Sequence, residues 1–389
     1  MGLMETTATA EEISRFGLEV HDVVITKDSE DWRDIAVPAM VVETAPDFVC
    51  GYHLAVIRPK ADRLYGPYLL RLLQSTAVNQ QFQIASSGVT RYGLPKSAIG
   101  EAWLTLPPLS QQHAIVTFLN ERIMQIDTLV AKKRNLSDKL KEKRSALITR
   151  TVTCGLPAKD LGRTEHEPRL KMKDSGIDWI GQMPNHWKIE KFSRAVFIAE
   201  GQVDPEAEPY ASMLLIAPNH VESGTGRLLK LETAADQSAE SGKYLCASGS
   251  VIYSKIRPAL RKVAIAPEKC LCSADMYPLN CREKLTNPYL YWLLLSDQFS
   301  AWSVLESDRV AMPKINRETL NELCLPVPPK TEQAAIAAFL ETEAAELDNF
   351  IAKVNEAADR LVEYRQALIT SAVTGQIDLR HWRADEQAA

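Results

Sequence analysis

Pro107-Pro108, Gln112, Ala114-Ile115, Phe118-Leu119, Asp127, Ala146-Leu147-Ile148-Thr149 and Val152-Thr153 form a pattern that returns, without a gap, 221 residues later. The second copy reads Pro328-Pro329, Gln333, Ala335-Ile336, Phe339-Leu340, Asp348, Ala367-Leu368-Ile369-Thr370 and Val373-Thr374. Over the 51 positions from Leu106 to Leu156, 20 are identical to their counterparts. An ungapped match of that length marks an internal duplication. Each copy opens on a proline pair, which stops a preceding strand and leaves Ser110 to cap the first helix.

Both copies carry heptads. Position a takes Leu119, Ile126, Lys133, Leu140 and Leu147 in the first and Leu340, Leu347, Val354, Leu361 and Leu368 in the second. Position d takes Ile115, Arg122, Leu129, Leu136 and Lys143, then Ile336, Glu343, Phe350, Ala357 and Tyr364. Such a seam predicts two long coiled-coil helices, each on the order of 60 Å at 1.5 Å per residue. The copies differ in charge. Residues 110–156 hold 9 Lys/Arg and 4 Asp/Glu, whereas residues 331–377 hold 3 and 8. Opposite charge favours pairing of the two copies with each other.

The 389-residue length predicts several domains, and 46% hydrophobic with 24% charged residues is ordinary globular composition. No apolar run reaches the roughly 20 residues of a membrane helix, and the start, Met1 to Glu12, is polar and acidic. Seven cysteines over so long a chain fit a reducing, cytoplasmic setting.

Around the long helices the pattern is mixed. Strands are expected at Asp22–Thr26, Ala39–Val42, His53–Ile57 and Leu104–Leu106, with one helix over Tyr68–Gln81. In the second half, strands are expected at Met213–Ile216, Ser250–Tyr253, Val263–Ala266 and Met276–Leu279, with a helix from Asn287 to Leu295. This divides the chain into a first globular segment (1–108), a first spacer helix (109–154) and a linker (155–171). A second globular segment (172–327), a second spacer helix (328–377) and a tail (378–389) follow. The class is α+β: two mixed α/β domains joined by two long helices.

The second domain opens Asp174-Ser175-Gly176-Ile177-Asp178-Trp179-Ile180-Gly181, then Pro184 and His186-Trp187. Together with the repeated Pro-Pro to Ala-Leu-Ile-Thr helix, this resembles the specificity subunit of type I restriction–modification systems over nearly the whole chain. The resemblance implies two target recognition domains, each reading one half of a split site on double-stranded DNA. It implies long helices that pair antiparallel, set the gap and dock methyltransferase subunits, two being expected, with nuclease-translocase subunits joining for restriction. The chain itself would bind no cofactor; S-adenosylmethionine, ATP and Mg would belong to the partners. One departure stands out. Met172 precedes Pro328 by 156 residues, but only 106 residues precede Pro107, and nothing among them matches the Asp174–Trp187 opening. Either the start is placed too late or the first recognition domain is truncated or remodelled, and a domain without its first strands is expected to carry an open sheet edge or an unfilled core.

Candidate DNA contacts are basic residues at strand ends and turns, where phosphate contacts gather. They are Lys255, Arg257, Arg261 and Lys262 in a stretch without acidic residues, Arg309 and Lys314 before the second long helix, and Lys27, Arg91 and Lys96 in the first domain. Arg91 and Lys96 are read as approximate counterparts of Arg309 and Lys314. Leu119, Ile126, Leu140, Leu147, Leu340, Leu347, Val354, Leu361 and Leu368 are the candidates for helix pairing and partner docking.

Catalytic and metal motifs are lacking. Asn287-Pro288-Tyr289 lacks the second proline of an adenine methyltransferase motif, no phosphate-binding loop occurs, and Pro46-Asp47 is followed by no Asp/Glu-x-Lys. Cys246, Cys270, Cys272 and Cys281 do not follow a zinc spacing, and strand alternation would bury one thiol of the Cys270/Cys272 pair and expose the other. Two other readings are a stand-alone nuclease or methyltransferase, which this motif search disfavours, and a coiled-coil structural protein, which would lack the globular segments.

Overall fold

A computed structural model describes residues 5, 7–156, 171–307, 313–380 and 382. The chain divides into two compact units, residues 1–136 with 353–389, and residues 137–352.

Unit 1 runs α1 (Ala10–Phe16), β1 (Val23–Thr26), β2 (Asp28–Ser29), β3 (Pro38–Met40), β4 (Leu54–Ile57), α2 (Gly66–Gln74), α3 (Thr76–Ala85), β5 (Tyr92–Gly93), α4 (Lys96–Glu101) and the first part of α5 (Leu109–Cys154). Its antiparallel sheet has the order β3-β1-β4, and β2 pairs with β5. Two expectations fail here. The single helix over 68–81 is broken at Ser75, whose hydroxyl donates to Leu72 O at 2.6 Å and caps α3 by accepting from Val78 N. A Ser side chain that ends one helix and starts the next offers the backbone an alternative to continuing. Leu104–Leu106 forms no strand, because no partner strand lies beside it among the described residues.

Unit 2 continues from the end of α5 through β6 (Met172–Asp174), β7 (Gln182–Pro184), β8 (Lys188–Lys191), α6 (Phe192–Ala195), β9 (Val196–Ile198), β10 (Gln202–Val203), β11 (Leu215–Ile216), β12 (Lys243–Cys246), β13 (Val251–Ser254), β14 (Val263–Ile265), β15 (Cys270–Cys272) and β16 (Met276–Cys281). It closes with α7 (Asn287–Leu295), α8 (Asp297–Ser307), α9 (Arg317–Glu322), β17 (Cys324–Val327) and the first part of α10 (Lys330–Val373). Its two four-stranded sheets have the orders β10-β12-β15-β11 and β14-β13-β16-β9. Cys270 and Cys272 are both buried, against the expected split into one buried and one exposed thiol, because residues two apart on β15 share a face. That strand is covered on both faces, Leu271 packing with Leu215 and the two cysteines with Ile216 and Ile252. Trp187 and Phe192 fill the core beneath β17, and Trp179 packs against it.

The repeat in sequence is a repeat in contacts. In unit 1 the Tyr68 hydroxyl donates to Val373 O at 3.3 Å; in unit 2 its counterpart Tyr289 donates to Val152 O at 2.8 Å. Thr76 N donates to the Thr370 hydroxyl at 3.0 Å, and Asp297 N to the Thr149 hydroxyl at 2.8 Å. Gln112 accepts from Tyr65 N, as Gln333 does from Thr286 N. Each globular segment thus sits on the start of its own long helix and on the end of the other. In unit 1 the early part of α5 packs on the late part of α10, and in unit 2 the late part of α5 packs on the early part of α10, so the helices run antiparallel. Two equivalent ion pairs cross the seam, Arg365 Nε to Asp127 Oδ1 at 3.0 Å and Arg144 Nε to Asp348 Oδ1 at 2.8 Å.

The seam itself needs a correction. Leu119, Ile126, Leu340, Leu347, Val354 and Leu368 are buried, and Leu140, Leu147 and Leu361 half-buried. Their seam partners are not Leu129, Leu136, Phe350 and Tyr364, which are exposed. They lie one residue further on: Val116, Ile123, Val130, Ser137 and Arg144 in α5, and Ala337, Ala344, Ala358 and Ala372 in α10. Polar Ser137 and Arg144 and small alanines fill this line, so apolarity alone pointed to the neighbouring one. Alanine lets two backbones approach, and Arg144 is satisfied by the ion pair across the seam.

Candidate nucleic-acid interface

In unit 2 the chain leaves β13 at Ser254, and the next residues are held by Asp275, just ahead of the neighbouring strand β16, and by the segment that leads into α9. Lys255 N donates to Asp275 O at 3.0 Å, Ile315 N to Lys255 O at 2.8 Å and Arg257 N to Pro313 O at 2.9 Å. Ile256 and Lys314 form an antiparallel bridge. This brings Lys255, Arg257 and Lys314 together from segments nearly 60 residues apart in the chain. Arg257 and Arg261 take left-handed backbone, φ 48° and 47°, on either side of a short turn. That conformation is costly for a side-chain-bearing residue and recurs at functional loops. Arg257 and Lys314 are exposed, and neither side chain has a polar partner among the described residues.

A ring system anchors the patch. Lys255 Nζ lies 5.3 Å from the Tyr277 ring centroid. Arg317, the first residue of α9, places its guanidinium 5.2 Å from the same ring and 5.8 Å from that of Tyr244. Arg317 also donates to Ala199 O at 2.8 Å and Ile198 O at 3.3 Å. Burial raises the Tyr277 phenol, outweighing the pull of Arg317, so the ring stays neutral between two cations. Fixed cations at a strand end suit phosphate oxygens, and the free Arg257 fork suits a phosphate or a guanine edge.

Two other expected contacts serve the scaffold. Arg261 is ion-paired with Asp297 and donates to the Ser145 hydroxyl, while Lys262 donates to Pro218 O at 2.6 Å. Arg309 lies outside the described residues.

Unit 1 repeats the arrangement in reduced form. Leu94 N donates to Lys27 O at 2.7 Å and Lys27 N to His53 O at 2.9 Å, matching the bonds of Lys255. Lys27 Nζ lies 4.7 Å from the exposed Tyr52 ring. Arg91 is engaged, donating to Asp28 Oδ1 at 2.6 Å, with His53 Nδ1 2.5 Å from the same oxygen. Burial would raise the Asp28 carboxyl, but His53 and Arg91 hold it below the usual carboxylate range. Lys96 opens α4, is exposed and has no ion pair among the described residues. Its counterpart is Arg317, not Lys314, because the offset of 221 holds here as elsewhere. Arg317 with Tyr244, Tyr277 and Tyr52 are the residues that sequence reasoning missed; applying the offset to Lys96 finds Arg317. Among the described residues, no three His, Cys, Asp or Glu side chains gather to hold a metal, and no helix is long and apolar enough to cross a membrane.

Comparison with known proteins places this patch in context. Residues 199–357 match the family described as the type I restriction modification DNA specificity domain. The EcoDI type I restriction enzyme specificity subunit of Escherichia coli is 30% identical over 296 residues, 75% of this chain and 65% of that subunit, so the chain spans under two thirds of it. A putative type I restriction enzyme specificity subunit, MjaX, of Methanocaldococcus jannaschii is 21% identical over 386 residues, 95% of this chain and 81% of that one. The same fold occurs in a solved chain from work on complex assembly and conformational transition of the type I R-M system, with a TM-score of 0.66 at 18% identity over 92% of this chain and 83% of that one.

Proposed function

We propose that this chain, which is similar to type I restriction–modification specificity subunits over most of its length, is the DNA-reading subunit of such a complex. The carrying observation is the Lys255–Arg257–Lys314–Arg317 patch, built on two tyrosine rings inside the matched specificity domain. Its smaller counterpart in unit 1, around Lys27 and Lys96, supports two readers of unequal reach. Each reads one half-site, and the paired helices α5 and α10 fix the gap.

The chain carries no catalysis of its own in this reading. Methyltransferase subunits, two per chain, dock along the long helices, where Leu129, Leu136, Phe350 and Tyr364 are exposed. Nuclease-translocase subunits join for restriction. S-adenosylmethionine, ATP and Mg belong to those partners, and the complex works in the cytoplasm.

Co-expression with its methyltransferase and mapping of methylated adenines across a genome tests this. The expected result is a split motif with a fixed gap. Methylation by the chain alone, or a continuous motif, overturns it. The rival reading as a structural coiled coil predicts no shift of DNA in a gel with or without the methyltransferase.

A further inference from the structure

The turn that follows Arg257 is tied to the long helix α5. It comprises Pro258–Leu260, and Arg257 and Arg261 flank it in left-handed backbone. Pro258 is buried and its ring locks φ, so the turn is a stiff link between the two arginines. At the far end the Arg261 guanidinium pairs with Asp297 and donates to the Ser145 hydroxyl at 3.0 Å. Ser145 in turn donates to the same Asp297 oxygen at 2.6 Å, which closes a triangle. Ser145 lies on α5, and Asp297 opens α8 with its amide on the Thr149 hydroxyl, one turn further along α5. A second tie runs beside the first. Gly224 N donates to Arg261 O at 3.2 Å, and Arg144, next to Ser145, donates to Gly224 O at 2.9 Å.

Seating a domain on its helix does not require this triangle. In unit 1 the counterparts of Ser145 and Asp297 are Gln366 and Thr76. Gln366 donates to Gln74 O at 2.6 Å and to the Thr76 hydroxyl at 3.3 Å, a neutral contact confined to the joint between α2 and α3. Arg33, the arginine of the loop that follows Lys27, pairs instead with Asp31 of that same loop at 3.1 Å. Unit 2 alone extends the helix contact to the turn of Arg257. Left-handed backbone at a side-chain-bearing residue persists where surrounding contacts over-determine it, and at Arg261 these are the contacts.

We propose that Arg261, Asp297 and Ser145 are positioning residues of the second reader. Resting on the reading of the Lys255–Arg317 patch as a DNA-binding surface, they hold Arg257 at a fixed place and angle relative to the helix that sets the gap. An arginine fork reads a guanine edge through two parallel hydrogen bonds, and both need a fixed approach. Outside the turn, the hydrogen bond of Arg257 among the described residues is that of its amide to Pro313 O, so its aim depends on the far end of the turn. Releasing that end leaves the charge of Arg257 in place and blurs what it reads.

The test uses the full chain in complex with its methyltransferase subunit. Duplexes carry the split motif mapped with the natural chain, or that motif with one base pair changed in either half-site. The quantity read is discrimination, the ratio of affinities for the intact and the changed duplex. Arg261→Ala and Asp297→Ala are each expected to cut discrimination at one half-site by about fivefold or more, with the other half-site and the salt dependence of binding kept. Arg261→Lys, which keeps a cation against Asp297, is expected to retain most of it. In an Arg257→Ala background, Arg261→Ala is expected to add no further loss, because it acts through Arg257. A variant that merely folds less well lowers the active fraction and leaves both ratios unchanged. Unchanged ratios, equal loss at both half-sites, or full additivity with Arg257→Ala overturns the proposal and leaves the DNA-reading function standing. Absence of any split motif with the natural chain overturns both.

Discussion

The two seam ion pairs are equivalent in sequence, yet their surroundings differ, and that difference sets a measurable asymmetry. The Arg144 side chain is 7% exposed, and besides Asp348 it donates to Gly224 O at 2.9 Å. The Arg365 side chain is 27% exposed and faces an Asp127 that is 54% exposed. Removing one partner of a buried pair costs about 3–5 kcal/mol, because the other charge is left without compensation. Asp348 is 38% exposed, so water relieves part of this, and Arg144→Ala is expected near the lower bound, about 3 kcal/mol. Burial already raises the Asp348 carboxyl against the pull of Arg144, and loss of that cation leaves only the weaker pull of Arg227 against it. Arg365→Ala breaks a solvated pair and is expected to cost below about 1 kcal/mol. Arg144→Met, which keeps the packing volume, is expected to fall between the two. The assay is hydrogen exchange with mass spectrometry over a urea series, read on α7 for unit 2 and α2 for unit 1. Equal weakening of unit 1 by Arg365→Ala and of unit 2 by Arg144→Ala would refute this asymmetry.

Other outcomes follow from the same contacts. Burial would raise the Asp22 carboxyl, but Arg58, donating at 2.7 and 2.9 Å, and the Glu19 amide outweigh it and hold it low. A depressed carboxyl stabilises the fold above its unfolded value, about 3.9, and loses that contribution as pH falls through the folded value. Asp22→Asn should therefore cost about 1.5 kcal/mol at pH 7, with the gap to wild type closing in acid melts below about pH 4. Arg257→Ala should reduce the salt dependence of DNA binding by about one counterion in a titration of affinity against salt. Arg261→Ala should instead lower the melting temperature, since that side chain braces Asp297 and Ser145. Inserting seven residues into each long helix, after Leu136 and after Ala352, adds about 10 Å and should lengthen the methylated gap by roughly 3 base pairs with both half-sites kept.

Much of the fold was legible because the duplication is ungapped. One offset places both proline pairs, both long helices and the tyrosines that seat the domains on them. The seam partners were not legible, since Ser137, Arg144 and the alanines of α10 are chosen by what they meet across the seam. Leu104–Leu106 has a strand's composition but lacks a neighbour, and a strand exists only as a pair. Cys270 and Cys272 share one face of β15, as residues two apart on a strand do, and the burial of Leu271 on the other face shows that both faces are covered. Within the interface, Lys255 and Lys27 stood out as basic residues at strand ends. Arg317 and the tyrosine rings did not, because their meeting joins β12, β16 and α9 across the domain.

The most direct test of two separate readers is a methylated-adenine map of cells carrying the methyltransferase with either the natural chain or its Lys255→Ala, Arg257→Ala variant. One half-site is expected to relax while the other half-site and the gap stay fixed. An unchanged motif, or equal loss at both half-sites, would contradict it.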